Sequence, residues 1–220
     1  MKSICFISSC NLEKSGTTRL EHLLNKIKTT GLINKLERLY IINIGLELKK
    51  KHLLSILDVD DTSKVLEIIE YSNNENLYEL PTLELMRVYS KFNPGCAVLY
   101  LQTKGISYDP SHQTVNDWID LMLYWLVEKH DKCIDLLSNT DIQSVGCNLS
   151  NSPHMHYSGN FWWTKTDWLA GLNKINGKEK ALAEWWLMSN DNGKHRCLFN
   201  SGIDHYQNIY PRSIYVKNNN

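Results

Sequence analysis

The sequence predicts a single α/β domain. Two features carry that expectation: the opening order strand–helix–strand, and a wholly apolar run, Ala97–Leu101, that passes directly into the polar loop Gln102-Thr103-Lys104-Gly105. The first strand is ICFIS (4–8), β-branched and aromatic. A helix follows over Thr17–Thr30, with Leu20, Leu23, Leu24 and Ile27 at helical spacing and Gly31 as its stop. Leu39–Ile44 reads as the second strand, ending at Gly45. LKKKHLLSILDVDDTS is weakly patterned, a short helix or loop, and Lys64–Tyr71 fits strand or helix, its length and place between turn signals favouring a strand. Pro81 opens a helix carrying Leu83, Leu85, Met86 and Tyr89, which Asn93-Pro94-Gly95 ends.

In the second half, Val115–Leu137 is expected as one long helix. Trp118, Leu121, Met122, Trp125 and Leu126 face the core, and Asp117, Glu128 and Lys129 face outward. Ser144–Cys147 is a short strand, followed by an aromatic segment, His154–Trp163. Helices near Asp167–Leu172 and over Lys178–Met188 lead into an irregular tail, whose Lys217–Asn220 end is expected to fray.

With 220 residues and 42% hydrophobic content, the chain can build a full core as one domain and is not wholesale disordered. Its 24 basic and 24 acidic side chains balance, which argues against a generic nucleic-acid binder. No apolar run is long enough for a transmembrane helix, and the start is too short for a secretory signal. The six cysteines form no C-x-x-C pair, so reduced thiols in a cytoplasmic setting are expected.

Four places could carry chemistry. Lys104 and Gly105 follow a central strand, where open α/β sheets bind ligands; the glycine lets backbone approach and the lysine offers a point charge for phosphate. The alternative is a surface turn with a solvated lysine. In Met155–Trp163, aromatic faces beside Ser-Gly-Asn suit a sugar ring, unless the aromatics simply pack in the core. His154 and His156 lack a third ligand for a metal. Glu184, beside Trp185 and Trp186, is a candidate general base if partly desolvated, otherwise an exposed helix carboxylate; Glu179 lies in a charged run and is a poorer one. The polar and aromatic tail from Asn200 to Tyr206 is dense in potential ligands, whereas Asp58–Asp61 reads as a solvated loop rather than a metal site.

Together NLYELPTLELM, VLYLQTKGIS, VNDWIDLMLYWLVEKHDKCIDLL, SVGCNL, HMHYSGNFWWTKTDWLAGL, AEWWLM and SGIDHYQNIYPRSIY resemble, in order and spacing, small GT-A-type glycosyltransferases of bacterial polysaccharide loci and large DNA viruses. The resemblance covers most of the chain from about Leu77 onward. It implies a GT-A-like, Rossmann-like mixed sheet flanked by helices over 1–216, with residues 1–110 holding the nucleotide and 111–216 the sugar and acceptor. The implied activity is transfer of a hexosyl or deoxyhexosyl unit from a nucleoside-diphosphate sugar, UDP or similar, to a glycan or other hydroxyl acceptor. A carbohydrate- or nucleotide-binding module that keeps the fold without catalysis is the alternative.

By the same resemblance, Ser8, Ser9, Asn76, Tyr78, Glu79, Thr82, Thr103, Lys104 and Gly105 would face the donor nucleotide. His154, His156, Ser158, Gly159, Asn160, Trp162, Trp163 and Tyr206 would line the sugar and acceptor site. Glu184 would act on the acceptor hydroxyl, and Lys104 with His205 on the diphosphate. The Asp-x-Asp that binds Mn2+ or Mg2+ in many such enzymes is replaced here by Gln102-Thr103-Lys104-Gly105. Either the lysine replaces the metal's charge, or carboxylates elsewhere hold a divalent cation.

Overall fold

In the computed structural model, which describes residues 1–11, 16–60, 62, 65–190 and 192–216, the chain alternates strands and helices as expected. The first half runs β1 (Lys2–Asn11), α1 (Gly16–Thr29), β2 (Leu36–Gly45), α2 (Lys50–Leu57), β3 (Leu66–Ser72), α3 (Leu80–Phe92) and β4 (Cys96–Gln102). The second half runs α4 (Gln113–Leu123), α5 (His130–Asn139), β5 (Ser144–Gly146), β6 (Leu149–Ser150), β7 (His156–Tyr157), β8 (Trp162–Lys165), α6 (Thr166–Gly171), α7 (Ala181–Trp185), β9 (His195–Cys197) and α8 (Arg212–Val216).

Seven strands form one sheet in the order β3-β2-β1-β4-β8-β5-β9. β1 pairs in parallel with both β2 and β4, and β2 with β3, whereas β8 runs antiparallel to both its neighbours. This is the expected GT-A-like, Rossmann-like mixed sheet. β6 and β7 form a separate two-stranded hairpin.

The central strands are buried on both faces, which explains their continuous apolar runs. On β1, Cys5 and Ile7 pack with α1, α2, α4 and α5, while Ile4 and Phe6 pack with α3, α6 and α7. β4 repeats the alternation, with Leu99 and Leu101 on the first side and Val98 and Tyr100 on the second. Three layers result, helices on each face of the sheet. All six cysteines carry free thiols, and burial pushes those of Cys5 and Cys133 well up.

Several expectations change. The single long helix is interrupted by a π turn at Tyr124–Glu128, closed by Lys129 N–H donating to Tyr124 O at 3.1 Å. The loosened ladder leaves carbonyls that side chains occupy: the Trp163 indole donates to Leu126 O at 2.7 Å, and the Cys133 thiol lies 3.5 Å from Trp125 O. His130 Nδ1 lies 2.8 Å from Val127 O. Asp117, expected outward, is buried because its carboxylate accepts from Gln113 Nε2 at 2.6 Å and from Tyr210 N–H at 3.0 Å. The expected irregular tail contains β9 and α8. Lys217–Asn220 lie outside the described residues. Asp58 ends α2 in a left-handed conformation and Asp60 accepts from Thr62 N–H at 2.9 Å, which are turn roles; Asp61 lies outside the described residues.

Trp163 is 0% exposed and satisfies a carbonyl of the π turn. Replacing it with Phe is therefore expected to destabilise the fold by about 1–3 kcal/mol through the unpaired buried carbonyl, read as a lowered urea midpoint with an unchanged m-value.

Candidate functional site

In an open α/β sheet, the crevice forms where neighbouring strands send their connections in opposite directions. Here that point lies between β1, which leads to β2 and β3 on one side, and β4, which leads away toward the other. A cavity of about 360 Å³ opens there at the carboxyl ends of both strands. Cys10 from β1, Thr103, Lys104 and Gly105 after β4, Glu79 at the start of α3, Trp118 on α4, Lys180 and Glu184 at α7, and Tyr206 from the C-terminal segment line it.

The loop after β4 is held by its own chemistry. Thr103 N–H donates to Ser8 O at 3.0 Å, and Cys10 N–H donates to Thr103 Oγ1 at 2.9 Å, extending the β1–β4 ladder past the strand end. Gly105 has φ +78°, and a Cβ there would run into Val115 of α4 with the Arg19 guanidinium behind it. Arg19 bonds Asn116 of α4 and reaches Asp109 O at 3.5 Å, tying α1, α4 and the loop together. On the opposite rim Tyr78 adopts φ +49°, a strained conformation for a bulky residue.

Lys104 Nζ sits 3.9 Å from the centre of the Trp118 ring. Burial lowers its pKa to about 8, although Glu184 and Glu79 draw it upward. Glu79 is 8% exposed; burial holds its carboxyl above the usual range, and its Oε2 has no protein partner. Tyr206 meets Trp118 edge-on at 5.0 Å, and burial, then the Glu184 charge, pushes its phenol up.

Of the residues expected at the donor, Asn76, Tyr78, Glu79, Thr103, Lys104 and Gly105 line this cleft. Ser8, Ser9 and Thr82 do not: all three are buried, and β1 runs on to Asn11, so Cys10 takes the place expected for the serines. Glu184 lines the cleft, half-buried between its alternatives.

The aromatic segment is corrected more strongly. Trp162 is 1% exposed and Trp163 0%, so both belong to the core. Asn160 is also internal: its Oδ1 accepts from the Trp162 indole at 2.8 Å, and its Nδ2 donates to Ala183 O at 3.3 Å, fixing α7 and hence Glu184. Gly159 is buried against Met122 and Trp118, where no side chain fits. His154 packs on Trp185 at 4.5 Å and lines a separate groove, and His156 is buried with Nδ1 2.7 Å from His154 O. Ser158 and His205 line neither of these; they border a second chamber beyond Trp118, of which Tyr206 is also a wall.

Trp118, Lys180, Cys10 and Tyr108 line the cleft without having been singled out as ligand-facing. Lys180 stands four residues before Glu184, a spacing that puts both on one helical face and that the surrounding charge run obscures. Among the described residues no group of three His, Cys, Asp or Glu side chains converges to hold a metal, and at the expected metal position stands Lys104. The described residues at that place do not make a built divalent-cation site.

The linkage of Lys104 gives a stability prediction. Its folded pKa of about 8 lies below its ordinary value, so the charged form costs stability below pH 8 and that cost fades as pH rises toward the ordinary value. Lys104→Met should therefore stabilise the protein by about 1–3 kcal/mol at pH 7. The gain should shrink at pH 9–10, read from urea unfolding at both pH values.

No helix among the described residues is long and apolar enough to cross a membrane. The fold is similar to that of HddC from Yersinia pseudotuberculosis, at 10% identity over 99% of this chain and 97% of that chain, with a TM-score of 0.49. It is also similar to Mycobacterium tuberculosis glucosyl-3-phosphoglycerate synthase, at 15% identity over 90% and 71% of the chains and a TM-score of 0.48. A third likeness is to a 4-diphosphocytidyl-2C-methyl-D-erythritol synthase, at 10% identity over 98% and 96% and a TM-score of 0.46. At these identities the likeness concerns the fold alone. No curated protein matches the sequence. A family model described as Domain of unknown function (DUF8361) matches residues 6–208, and the chain belongs to that family.

Proposed function

We propose that the protein is a glycosyltransferase that takes a sugar from a nucleoside-diphosphate sugar to a hydroxyl acceptor. The observation that carries this reading is the pairing of Lys104, at the carboxyl end of β4 in the strand-switch crevice, with the carboxylates Glu79 and Glu184 in the same cavity. A half-buried ammonium at that point is suited to a diphosphate, and the carboxylates are suited to hydroxyls.

In this reading the diphosphate lies on Lys104, with Lys180 at the rim. As the bond between the anomeric carbon and the diphosphate oxygen breaks, negative charge grows on the leaving group, and Lys104 stabilises it in a partly desolvated site. Glu184 accepts the proton of the acceptor hydroxyl while that oxygen bonds the anomeric carbon, a contribution of about 10²–10⁴ in rate. The nucleoside diphosphate departs with the electron pair of the broken bond. No step is routed through a divalent cation. Trp118, Tyr206 and Tyr108 line the walls and limit access of water, which protects the donor from hydrolysis.

The test is thermal-shift binding against a panel of nucleoside diphosphates and their sugars, with manganese and with EDTA. A donor at about 100 times its dissociation constant should add about 2.7 kcal/mol of stability, and the shift should persist in EDTA. Absence of any shift in a folded sample would overturn the reading in favour of a carbohydrate-binding module. Lys104→Met should abolish the shift. Glu184→Gln should keep it and lower turnover by about 10²-fold or more, measured as nucleoside diphosphate released in the presence of acceptor.

A further inference from the structure

The two edges of the sheet are finished differently. At one, β9 is three residues long, HRC, and presents Arg196 to solvent, the short and charged kind of edge that resists pairing. At the other, β3 runs for seven residues, LEIIEYS, with β-branched and aromatic side chains and no lysine, arginine or proline. Leu39 N–H donates to Val65 O at 2.6 Å, which sets the alternation along β3: the main-chain groups of Glu67 and Ile69 turn toward β2, and those of Leu66, Ile68 and Glu70 turn outward. No described strand pairs with that outer edge.

One face of β3 is open as well. Leu66 and Ile68 pack into the core with α1 and α2. Glu67 and Ile69 stand beside Tyr40 and Ile42, which belong to the side of α3. There α3 packs on β1 and β2 through Tyr89, which meets Phe6 at 5.5 Å and Tyr40 at 5.6 Å, and Tyr71 of β3 is left 56% exposed. Phe92, three residues beyond Tyr89 and so on the same flank of α3, is 79% exposed. Of the two glutamates on the strand, Glu70 is engaged within its own chain, where its carboxylate accepts from Asn43 Nδ2 and from Leu48 N–H.

We propose that β3 pairs antiparallel with β3 of a second copy of this chain, so that one sheet runs through a two-fold dimer. The strand is self-complementary in that pairing. With the axis at Ile69, its middle residue, Ile69 faces itself, Leu66 faces Ser72, Ile68 faces Glu70, and Glu67 faces Tyr71 of the other copy. No glutamate stands directly opposite another, and a tyrosine hydroxyl comes beside each Glu67 carboxylate as a donor. The outward main-chain groups of Ile68 and Glu70 meet their counterparts across the axis. This match arises from the strand's own sequence, which is the argument for a second copy over a foreign strand. Such a pairing uses both β3 edges and closes, because β9 offers no second one. Tyr71 lies near the carboxyl ends of the parallel strands and Phe92 near their amino ends, so the same rotation carries each toward the other across the interface. The dimer does not rest on the transferase reading.

The experiment is sedimentation velocity of the full chain over a range of concentrations, with amide hydrogen exchange read by NMR under conditions that give monomer and dimer. The wild type should reach twice the chain mass, and the Ile68 and Glu70 amides should exchange about tenfold more slowly, or slower still, in the dimer. Tyr71→Glu sets like charges opposite each other twice across the axis and should weaken the dimer about tenfold. Because Tyr71 is mostly exposed, the urea midpoint of that variant should stay near the wild-type value. Adding Glu67→Lys to the same chain makes both opposed pairs attractive and should restore the dimer, which a purely structural effect of the first change would not allow. A wild type that stays monomeric at every concentration overturns the proposal and leaves the edge to a strand of another protein. A dimer whose Ile68 and Glu70 amides stay fast, or one that Tyr71→Glu leaves intact, overturns it by placing the interface elsewhere. Failure of the double variant to restore the dimer overturns the Ile69 register.

Discussion

Trp118 is the contact through which the functional half of the molecule is organised. It is 2% exposed on α4, and three groups from distant parts of the chain converge on its ring. Lys104 lies 3.9 Å from its centre, His205 stacks nearly parallel at 5.3 Å, and Tyr206 meets it edge-on. A cation is favoured over an electron-rich ring, so the same side chain that closes the core also steadies the charge of a lysine whose pKa burial lowers. The cleft and the chamber are therefore two sides of one tryptophan environment. Anything that tilts this indole changes the charge geometry on one side and the hydroxyl-lined space on the other.

The sheet places that tryptophan. The connections of β1 and β4 leave in opposite directions and open a crevice at the carboxyl ends of these two central strands, and the Thr103 bonds to the β1 end keep the two strand termini together beyond the sheet proper. Gly105 then lets the loop turn close against Val115, three residues before Trp118. Asn160 does comparable work on the other side, joining the start of β8 to the α7 carbonyl beside Glu184. Lys104 and Glu184 thus face one cavity because two buried polar connections and one glycine hold three elements in register.

Much of this was legible in the residues. Strands buried on both faces write themselves as unbroken apolar runs, so ICFIS and AVLYL locate the sheet, and the polar break after the second locates Lys104. Glu184 stands out as an acid among tryptophans. What was not legible depends on partners distant in sequence. Trp162, Trp163 and Trp118 look alike as residues, yet the first two satisfy internal acceptors and the third borders two cavities, a distinction that only packing creates. β9 is three residues long and polar, HRC, with no periodicity to announce it. The resemblance puts Ser8 and Ser9 at the end of the first strand, whereas pairing with β2 carries β1 on to Asn11, past the end of its pairing with β4 at Ser8.

The π turn has a consequence in helical phase. Each α-helical residue advances the side-chain direction by about 100°, and a π turn inserts one residue more than an α turn would use. α4 and α5 are thus consecutive in the chain but rotated out of step, although one apolar pattern runs through both in the sequence. The orientation of α5 toward β5 and β8 is set by its own contacts through Cys133 and Leu137. That of α4, and with it the angle at which Trp118 meets the cleft, is set by separate contacts, Asn116 with Arg19 of α1 and Asp117 with Tyr210 of the C-terminal segment. The extra residue acts as a mechanical joint: it lets the wall of the site be aimed without turning the helix that seals the sheet behind it.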